Sequence, residues 1–278
     1  YVDLLSSAAG TALADQVHQV VVIGRPTLSR PVQRLIARAP SLIVAAHGAR
    51  WREAPRHADR IVRAVPASWL TRADGRLELG DSAWLARWRS AAATLESDAR
   101  PWGRRAIAAT WLAGLGPDDV AVLGSSGPIR AVDRAAPVWP VGEAPMLIAN
   151  RGLAGIDGTV STAVGVALAS GRPGHALMGD VTFLHDVGGL LVGPREARPR
   201  LRITVVNDGG GTIFAGLEHA AAPPAQVERV FTTPHGADLA ALCAGYGVAH
   251  RAVRSADALA RALAAPPGAL EVVEARIT

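Results

Sequence analysis

An α/β protein built from two doubly wound parallel-sheet domains is what this 278-residue sequence predicts. Short apolar runs alternate with segments of helical length, the pattern of strands that are buried on both faces and joined by crossover helices. Most of these runs stop at glycine, asparagine or aspartate, the residues that punctuate a strand-to-helix turn. A stretch ending in a proline, residues 90–101, separates two such series. Alternation of this kind makes βαβ units, and βαβ units make a parallel sheet.

In chain order, residues 20–24 read as a buried strand, 28–39 as a helix and 42–46 as the next strand. Pro31 falls near the start of that helix, where a missing backbone N–H is tolerated. Residues 47–81 are rich in Arg, Pro, Gly and Asp and hold one expected strand at 60–65. Trp84, Leu85 and Trp88 stand at i, i+1 and i+4, which predicts a helix that buries an aromatic edge. With residues 90–101 as the linker, the expected domains are 1–90 and 91–278. Beyond the linker the pattern predicts a helix over 103–115, a strand at 120–123 and a turn at 124–130. Asp157 is expected to cap a helix over 158–169, whose small residues permit close packing. Strands follow at 175–178 and 202–206. No internal repeat is visible, and the alanine-rich stretches read as helix.

Composition narrows the possible functions. With 49% hydrophobic and 19% charged residues the chain can bury a core and is not disordered. The formal charge of +5 would suit a nucleic-acid partner. All 29 basic residues are arginines scattered through the chain, however, which fits a coding bias better than a binding stripe, and no nucleic acid is expected. Cys243 is the sole cysteine, which excludes an internal disulfide and a cysteine cluster; its apolar neighbours predict a core thiol. No apolar run approaches the length of a membrane span and no signal-peptide pattern opens the chain, so no membrane partner and a cytoplasmic location are expected. The chain begins at Tyr1 and its methionines are Met146 and Met178, which reads as part of a longer polypeptide.

The densest chemistry lies at residues 179–186, Gly-Asp-Val-Thr-Phe-Leu-His-Asp, and at 207–211, Asn-Asp-Gly-Gly-Gly. Asp180 and Asn207 each follow an apolar strand, so two neighbouring strands can bring a carboxylate and an amide oxygen to one point. Magnesium takes near-octahedral oxygen ligands, one or two from protein and the rest from water and phosphate. The glycines at 209–211 permit close backbone approach to a pyrophosphate, and loop amides of that kind form an anion-binding concavity. The pattern therefore reads as metal plus diphosphate, against the plainer reading of a turn or a helix cap at Asp180.

Asp180 and Asn207, 27 positions apart, also match the thiamine diphosphate motif, in which a Gly-Asp pair and a later asparagine hold the magnesium diphosphate of the cofactor. Residues 149–158, Ala-Asn-Arg-Gly-Leu-Ala-Gly-Ile-Asp-Gly, together with 179–186 and 207–211, closely resemble the 2-succinyl-5-enolpyruvyl-6-hydroxy-3-cyclohexene-1-carboxylate synthases of menaquinone biosynthesis. Residues 124–130, Gly-Ser-Ser-Gly-Pro-Ile-Arg, and 24–32, Gly-Arg-Pro-Thr-Leu-Ser-Arg-Pro-Val, resemble the same family.

The resemblance implies a central domain followed by a diphosphate-binding domain, with a pyrimidine-binding amino-terminal domain that would precede Tyr1 and is absent from this sequence. It implies thiamine diphosphate with Mg2+ or Mn2+ as cofactors, and 2-oxoglutarate and isochorismate as substrates: decarboxylation of the first, then 1,4-addition of the succinyl unit to the second. Asp180, Asn207 and the carbonyl of Gly209 are implied as metal ligands. Ser126, Gly179, Val181, Thr182, Ile213 and Phe214 are implied around the cofactor, and Ile156 as the residue that props it into its bent form. Arg151 and Arg130 are implied as carboxylate-binding groups, and Arg30 as a basic residue of the central domain near the substrate. No catalytic role carries over to His185. An activating glutamate is implied in the amino-terminal domain of a neighbouring subunit, so that the chain alone would be inactive and the intact enzyme a homodimer or tetramer. Val206 and Thr212 depart from the family pattern. Another thiamine diphosphate carboligase, such as an acetolactate synthase, and a noncatalytic diphosphate-binding module remain as alternatives.

Overall fold

The computed structural model describes residues 1–24, 26–45, 57–66, 69, 82–95 and 101–277, and divides into two compact units, Tyr1–Asp98 and Ala99–Thr278. The first unit contains α1 (Val2–Ser6), α2 (Ala8–Ala14), β1 (Gln19–Ile23), α3 (Arg30–Arg38), β2 (Ser41–Ala45), β3 (Arg60–Val62) and α4 (Ser82–Ala93). Its strands form a parallel sheet in the order β1-β2-β3. Pro31 occupies the first turn of α3, as its missing N–H requires.

Three expectations in this unit need correction. The strand at 60–65 is shorter, ending at Val62. Helix α4 continues through Ala93, so the first residues assigned to the linker are helical, an outcome that the alanines at 91–93 favour. On α4 the indole rings of Trp84 and Trp88 meet edge-on at 5.7 Å, half-buried, but Leu85 points to solvent. Residues 46–56, 67, 68, 70–81 and 96–100, which include the end of the strand expected at 42–46, most of the Arg- and Gly-rich segment before α4 and the later part of the linker, lie outside the described residues.

The second unit contains α5 (Arg104–Ala113), β4 (Val120–Leu123), α6 (Gly127–Ala135), β5 (Met146–Ala149), α7 (Thr159–Ser170), β6 (Gly174–Gly179), α8 (Asp180–His185), β7 (Leu201–Asn207), α9 (Pro224–Val227), α10 (Leu239–Gly245), β8 (Ala249–Val253), α11 (Ala256–Leu263) and β9 (Glu271–Arg276). Short 3-10 turns connect several of these, and a single π-turn spans Glu228–Thr232. All six strands are parallel, in the order β5-β4-β6-β7-β9-β8. β4 and β6 are buried along their whole length and β7 as far as Val206, which is why their sequences run apolar without alternation. Val122, Val160, Met178, Phe183, Ile203, Leu239 and Cys243 join one core that packs helices against the sheet.

Two helix starts differ from expectation. Residues 124–130 are not all turn: α6 begins at Gly127 with Pro128 in its first turn, where proline is tolerated. Asp157 does not cap α7. The N-cap is Gly158, with left-handed φ of 65° and no side-chain bond. The carboxylate that serves that helix end comes from Asp186, which accepts from the Ser161 amide at 2.7 Å and from the Ser161 hydroxyl at 3.1 Å.

Candidate metal and diphosphate site

β4 pairs with both β5 and β6, so the sheet reverses its winding direction between β4 and β6. In open α/β sheets a crevice forms at such a reversal, outside the carboxyl ends of the strands. Here those ends carry Ser125 and Ser126 after β4, and Gly179 and Asp180 at the close of β6. The Gly179 amide donates to Ser126 Oγ at 3.0 Å, tying the two turns together. A cleft of about 290 Å³ lies at this point.

Nine residues singled out from the sequence line the cleft: Ser126, Arg130, Ile156, Gly179, Asp180, Val181, Thr182, Ile213 and Phe214. Asn207, Gly209 and Arg151 are not among its wall residues. Arg151 is half-buried just beyond β5. Arg130 is exposed on α6 and its Nη1 donates to the Ser126 carbonyl at 3.3 Å. His185 is exposed at the end of α8, and Arg30 is the exposed first residue of α3 in the other unit.

Asp180 is 2% exposed and its carboxylate is heavily used. Oδ2 accepts from the Gly209 and Gly210 amides, each at 2.9 Å, and lies 3.1 Å from Nε2 of His235. Oδ1 accepts from the Val181 amide at 2.7 Å. Asn207, the last residue of β7, turns Oδ1 to the same Gly209 amide at 3.1 Å. The pairing of Gly179 with Val206 across β6 and β7 places the carboxylate and the amide oxygen side by side. The glycine loop is gripped from its other side as well, since the Gly211 amide donates to the Thr232 carbonyl at 2.6 Å. Gly210 has φ of +147°, and a Cβ there would drive into the Thr232 carbonyl, so the position requires glycine.

Asn207 Nδ2 donates in turn to Oε1 of Glu274 at 2.6 Å. Glu274 is 1% exposed, yet it is fully engaged. Arg276 bonds both its oxygens, at 2.8 and 2.9 Å, and Nε2 of His250 lies 3.0 Å from Oε2. Burial alone would push the Glu274 carboxyl up, but the bonds from Arg276 and Asn207 and the charges of Arg276 and His250 outweigh it and hold the group below its usual range. Across the cleft, Arg104 Nε donates to Asp208 Oδ2 at 2.6 Å, and its Nη2 reaches Asp208 and the Thr212 hydroxyl. Burial nevertheless pushes the Asp208 carboxyl up, and the charge of Asp180 adds to that.

The donor set fits a hard cation carrying a diphosphate. A carboxylate, an amide oxygen and the carbonyl of a glycine loop are all-oxygen ligands. Thr182 supplies a second sign: its hydroxyl is buried in the cleft wall and has no hydrogen-bond partner, an uncommon state for a buried polar atom. Among the described residues no group of three or more His, Cys, Asp or Glu gathers into an alternative metal centre. None of their helices is long and apolar enough to cross a membrane.

The asparagine of the 149–158 motif has a structural place. The Asn150 carbonyl accepts from Ser125 Oγ at 2.7 Å and its Nδ2 donates to Thr162 at 3.0 Å, which joins the turns after β4 and β5 to α7. Sequence reasoning missed Arg104, His235 and Glu274. The contacts of His235 and Glu274 with the motif span 55 and 67 residues, so no local spacing announces them. Glu274 carried one legible signal, a carboxylate inside the apolar run of β9.

Residues 132–269 match the family model described as thiamine pyrophosphate enzyme, C-terminal TPP binding domain. The 2-succinyl-5-enolpyruvyl-6-hydroxy-3-cyclohexene-1-carboxylate synthase of Nocardioides sp. is 47% identical over 277 residues, which cover 95% of this chain and 51% of the relative. Synthases of the same name from Kineococcus radiotolerans and Renibacterium salmoninarum are 46% and 42% identical, covering 93% and 94% of this chain and 46% and 47% of their own lengths. The chain spans about half the length of the curated relatives it matches.

Proposed function

We propose that the chain, similar to thiamine pyrophosphate enzymes over residues 132–269 and to these synthases over most of its length, forms the central and diphosphate-binding parts of a 2-succinyl-5-enolpyruvyl-6-hydroxy-3-cyclohexene-1-carboxylate synthase. The reaction is decarboxylation of 2-oxoglutarate and 1,4-addition of the succinyl unit to isochorismate, in menaquinone biosynthesis. The observation that supports the reading most directly is the convergence of Asp180 Oδ2 and Asn207 Oδ1 on one loop amide beside the cleft at the sheet's reversal point.

Thiamine diphosphate supplies, when bound, the electron sink that decarboxylation requires. In this proposal the protein binds and orients. Asp180, Asn207 and the Gly209 carbonyl hold Mg2+ or Mn2+ on the diphosphate. The hydroxyls of Thr182 and Ser126 would bind the phosphate oxygens, with Gly179 and Val181 in the wall beside them. Ile156 supports the bent form of the cofactor, with Ile213 and Phe214 as apolar walls. Arg130 and Arg151 offer planar donor forks to substrate carboxylates, a geometry that a dicarboxylate donor and a polycarboxylate acceptor both use. The glutamate that activates the cofactor comes from a domain outside these 278 residues, in a cytoplasmic homodimer or tetramer.

Calorimetric titration of the chain with thiamine diphosphate and Mg2+, followed by turnover with and without a separately supplied amino-terminal half of a relative, tests this. Metal-dependent cofactor binding and product only in the supplemented mixture are expected. Turnover by the chain alone would remove the requirement for an outside glutamate, and absence of metal-dependent binding in both mixtures would sink the cofactor assignment.

A further inference from the structure

We propose that Glu274 is a positioning residue that sets the orientation of the Asn207 side-chain amide and so determines that oxygen, not nitrogen, faces the metal position. The inference rests on the metal site proposed above.

An asparagine amide is nearly symmetric in shape, so packing alone does not choose between its two flips. The neighbours of Asn207 do choose. On one side stands the Gly209 N–H, a donor, 3.1 Å from Oδ1. On the other stands Glu274, whose ionised carboxylate can only accept. The flipped amide would set nitrogen against an N–H and oxygen against a carboxylate, which loses both bonds at once. Glu274 can enforce this because it does not move. It is almost wholly buried, bonded at both oxygens by Arg276 and contacted at Oε2 by His250. The three groups lie on β8 and β9, and β9 pairs with β7 so that Asn207 stands opposite Arg276. Fixing a ligand through a bonded neighbour is a general device of metal sites, and loss of such a partner weakens metal binding by about 10- to 100-fold.

Replacing the carboxylate by a carboxamide inverts the instruction. In Glu274→Gln the amide oxygen takes the Oε2 position, where Arg276 Nη2 and His250 converge, which leaves an NH2 at the Oε1 position against Arg276 Nε and Asn207. Asn207 then meets donor with donor and turns its oxygen toward residue 274, away from Gly209.

The test uses the 278-residue chain with Mn2+ and inorganic pyrophosphate as probes, read by electron paramagnetic resonance, together with NMR of the Asn207 side-chain amide. In the wild-type chain one Asn207 amide proton is expected to be strongly deshielded and slow to exchange, the mark of a bond to carboxylate. Glu274→Gln is expected to remove that signature and to weaken Mn2+ binding about 10- to 100-fold. Leu259→Ala, a core change on α11 that touches none of the hydrogen bonds of this cluster, is expected to lower thermal stability while leaving Mn2+ affinity within about twofold. Unchanged Mn2+ affinity in a folded Glu274→Gln, or an equal loss in both variants, would overturn the proposal. Should Glu274→Gln not fold, two equivalent and fast-exchanging Asn207 amide protons in the wild-type chain would overturn it. Failure of the wild-type chain to bind Mn2+, with its Asn207 signature intact, would instead sink the metal site, and this inference with it.

Discussion

His235 Nε2 lies 3.1 Å from Asp180 Oδ2, so a loop 55 residues downstream grips the carboxylate that opens α8. The other ring nitrogen, Nδ1, accepts the Ala237 amide at 3.0 Å, which places the proton of a neutral ring on Nε2 and makes His235 the donor. His235→Ala removes one of three donors on Oδ2 and frees the carboxylate to turn. A loss of about tenfold in Mg2+ affinity is expected, measured as the Mg2+ dependence of thiamine diphosphate binding. An unchanged dependence would show that the two amides suffice.

Gly210 is the least replaceable residue of the loop. Gly210→Ala imposes a side chain on a φ of +147° and against the Thr232 carbonyl. Strain on the order of 1–3 kcal/mol is expected, seen as a lower Tm. Cofactor affinity should fall with it, because the Gly210 amide that bonds Asp180 is displaced. Gly245→Ala, in helix α10 at a position with open space around it, serves as the comparison and should cost little.

His175 makes stability depend on pH. Burial in β6 pushes its pKa below the ordinary 6.5; Asp119 opposes that shift and Arg202 adds to it. The unfolded chain therefore takes up a proton near pH 6.5 that the folded chain refuses until the pH is lower. Unfolding is thus favoured by acid in that window, and stability falls as pH drops below about 6.5, with no contribution from this group above it. In thermal melts across that range the wild-type chain should lose stability relative to His175→Leu as the pH falls. Parallel curves would refute the assignment.

Cys243 should report unfolding. Its thiol is wholly buried in the core and burial pushes its pKa up to about 11, so little thiolate forms near neutrality. Labelling by a thiol reagent at about pH 8 is expected to proceed at the rate of opening of the surrounding core and to become fast in denaturant. Rapid labelling of the folded chain would place the thiol outside the core.

The strands at 20–24, 42–46, 120–123, 175–178 and 202–206 were legible because each is a short unbroken apolar run, whereas β5, β8 and β9 were not read from the sequence; Asp180 and Asn207 were legible because each follows such a run. Helix ends were harder. Asp157 looks like a cap by position, yet Asp186 does that work from the far side of β6, through a contact spanning 25 residues that no local pattern announces. The start of α6 hid behind Gly127-Pro128, residues that signal a turn as readily as a first helical turn. His235, Arg104 and Glu274 escaped for the same reason as Asp186. A fold brings them to the motif, whereas a motif search sees only neighbours in sequence.

The position of β9 has a consequence for how the chain is made. It lies between β7 and β8, and among the described residues β8 pairs with no other strand. Two of the six strands, β8 and β9, therefore wait for residues 271–276 to leave the ribosome, although β4, β5, β6 and β7 can already have paired by then. Asn207 emerges long before Glu274 and Arg276 do, so the corner that holds it is finished only after residue 276 has been made. A nascent chain stalled before residue 271 would carry Asp180 and Asn207 with an unzipped sheet edge beside them, a species suited to chaperone capture rather than to cofactor loading.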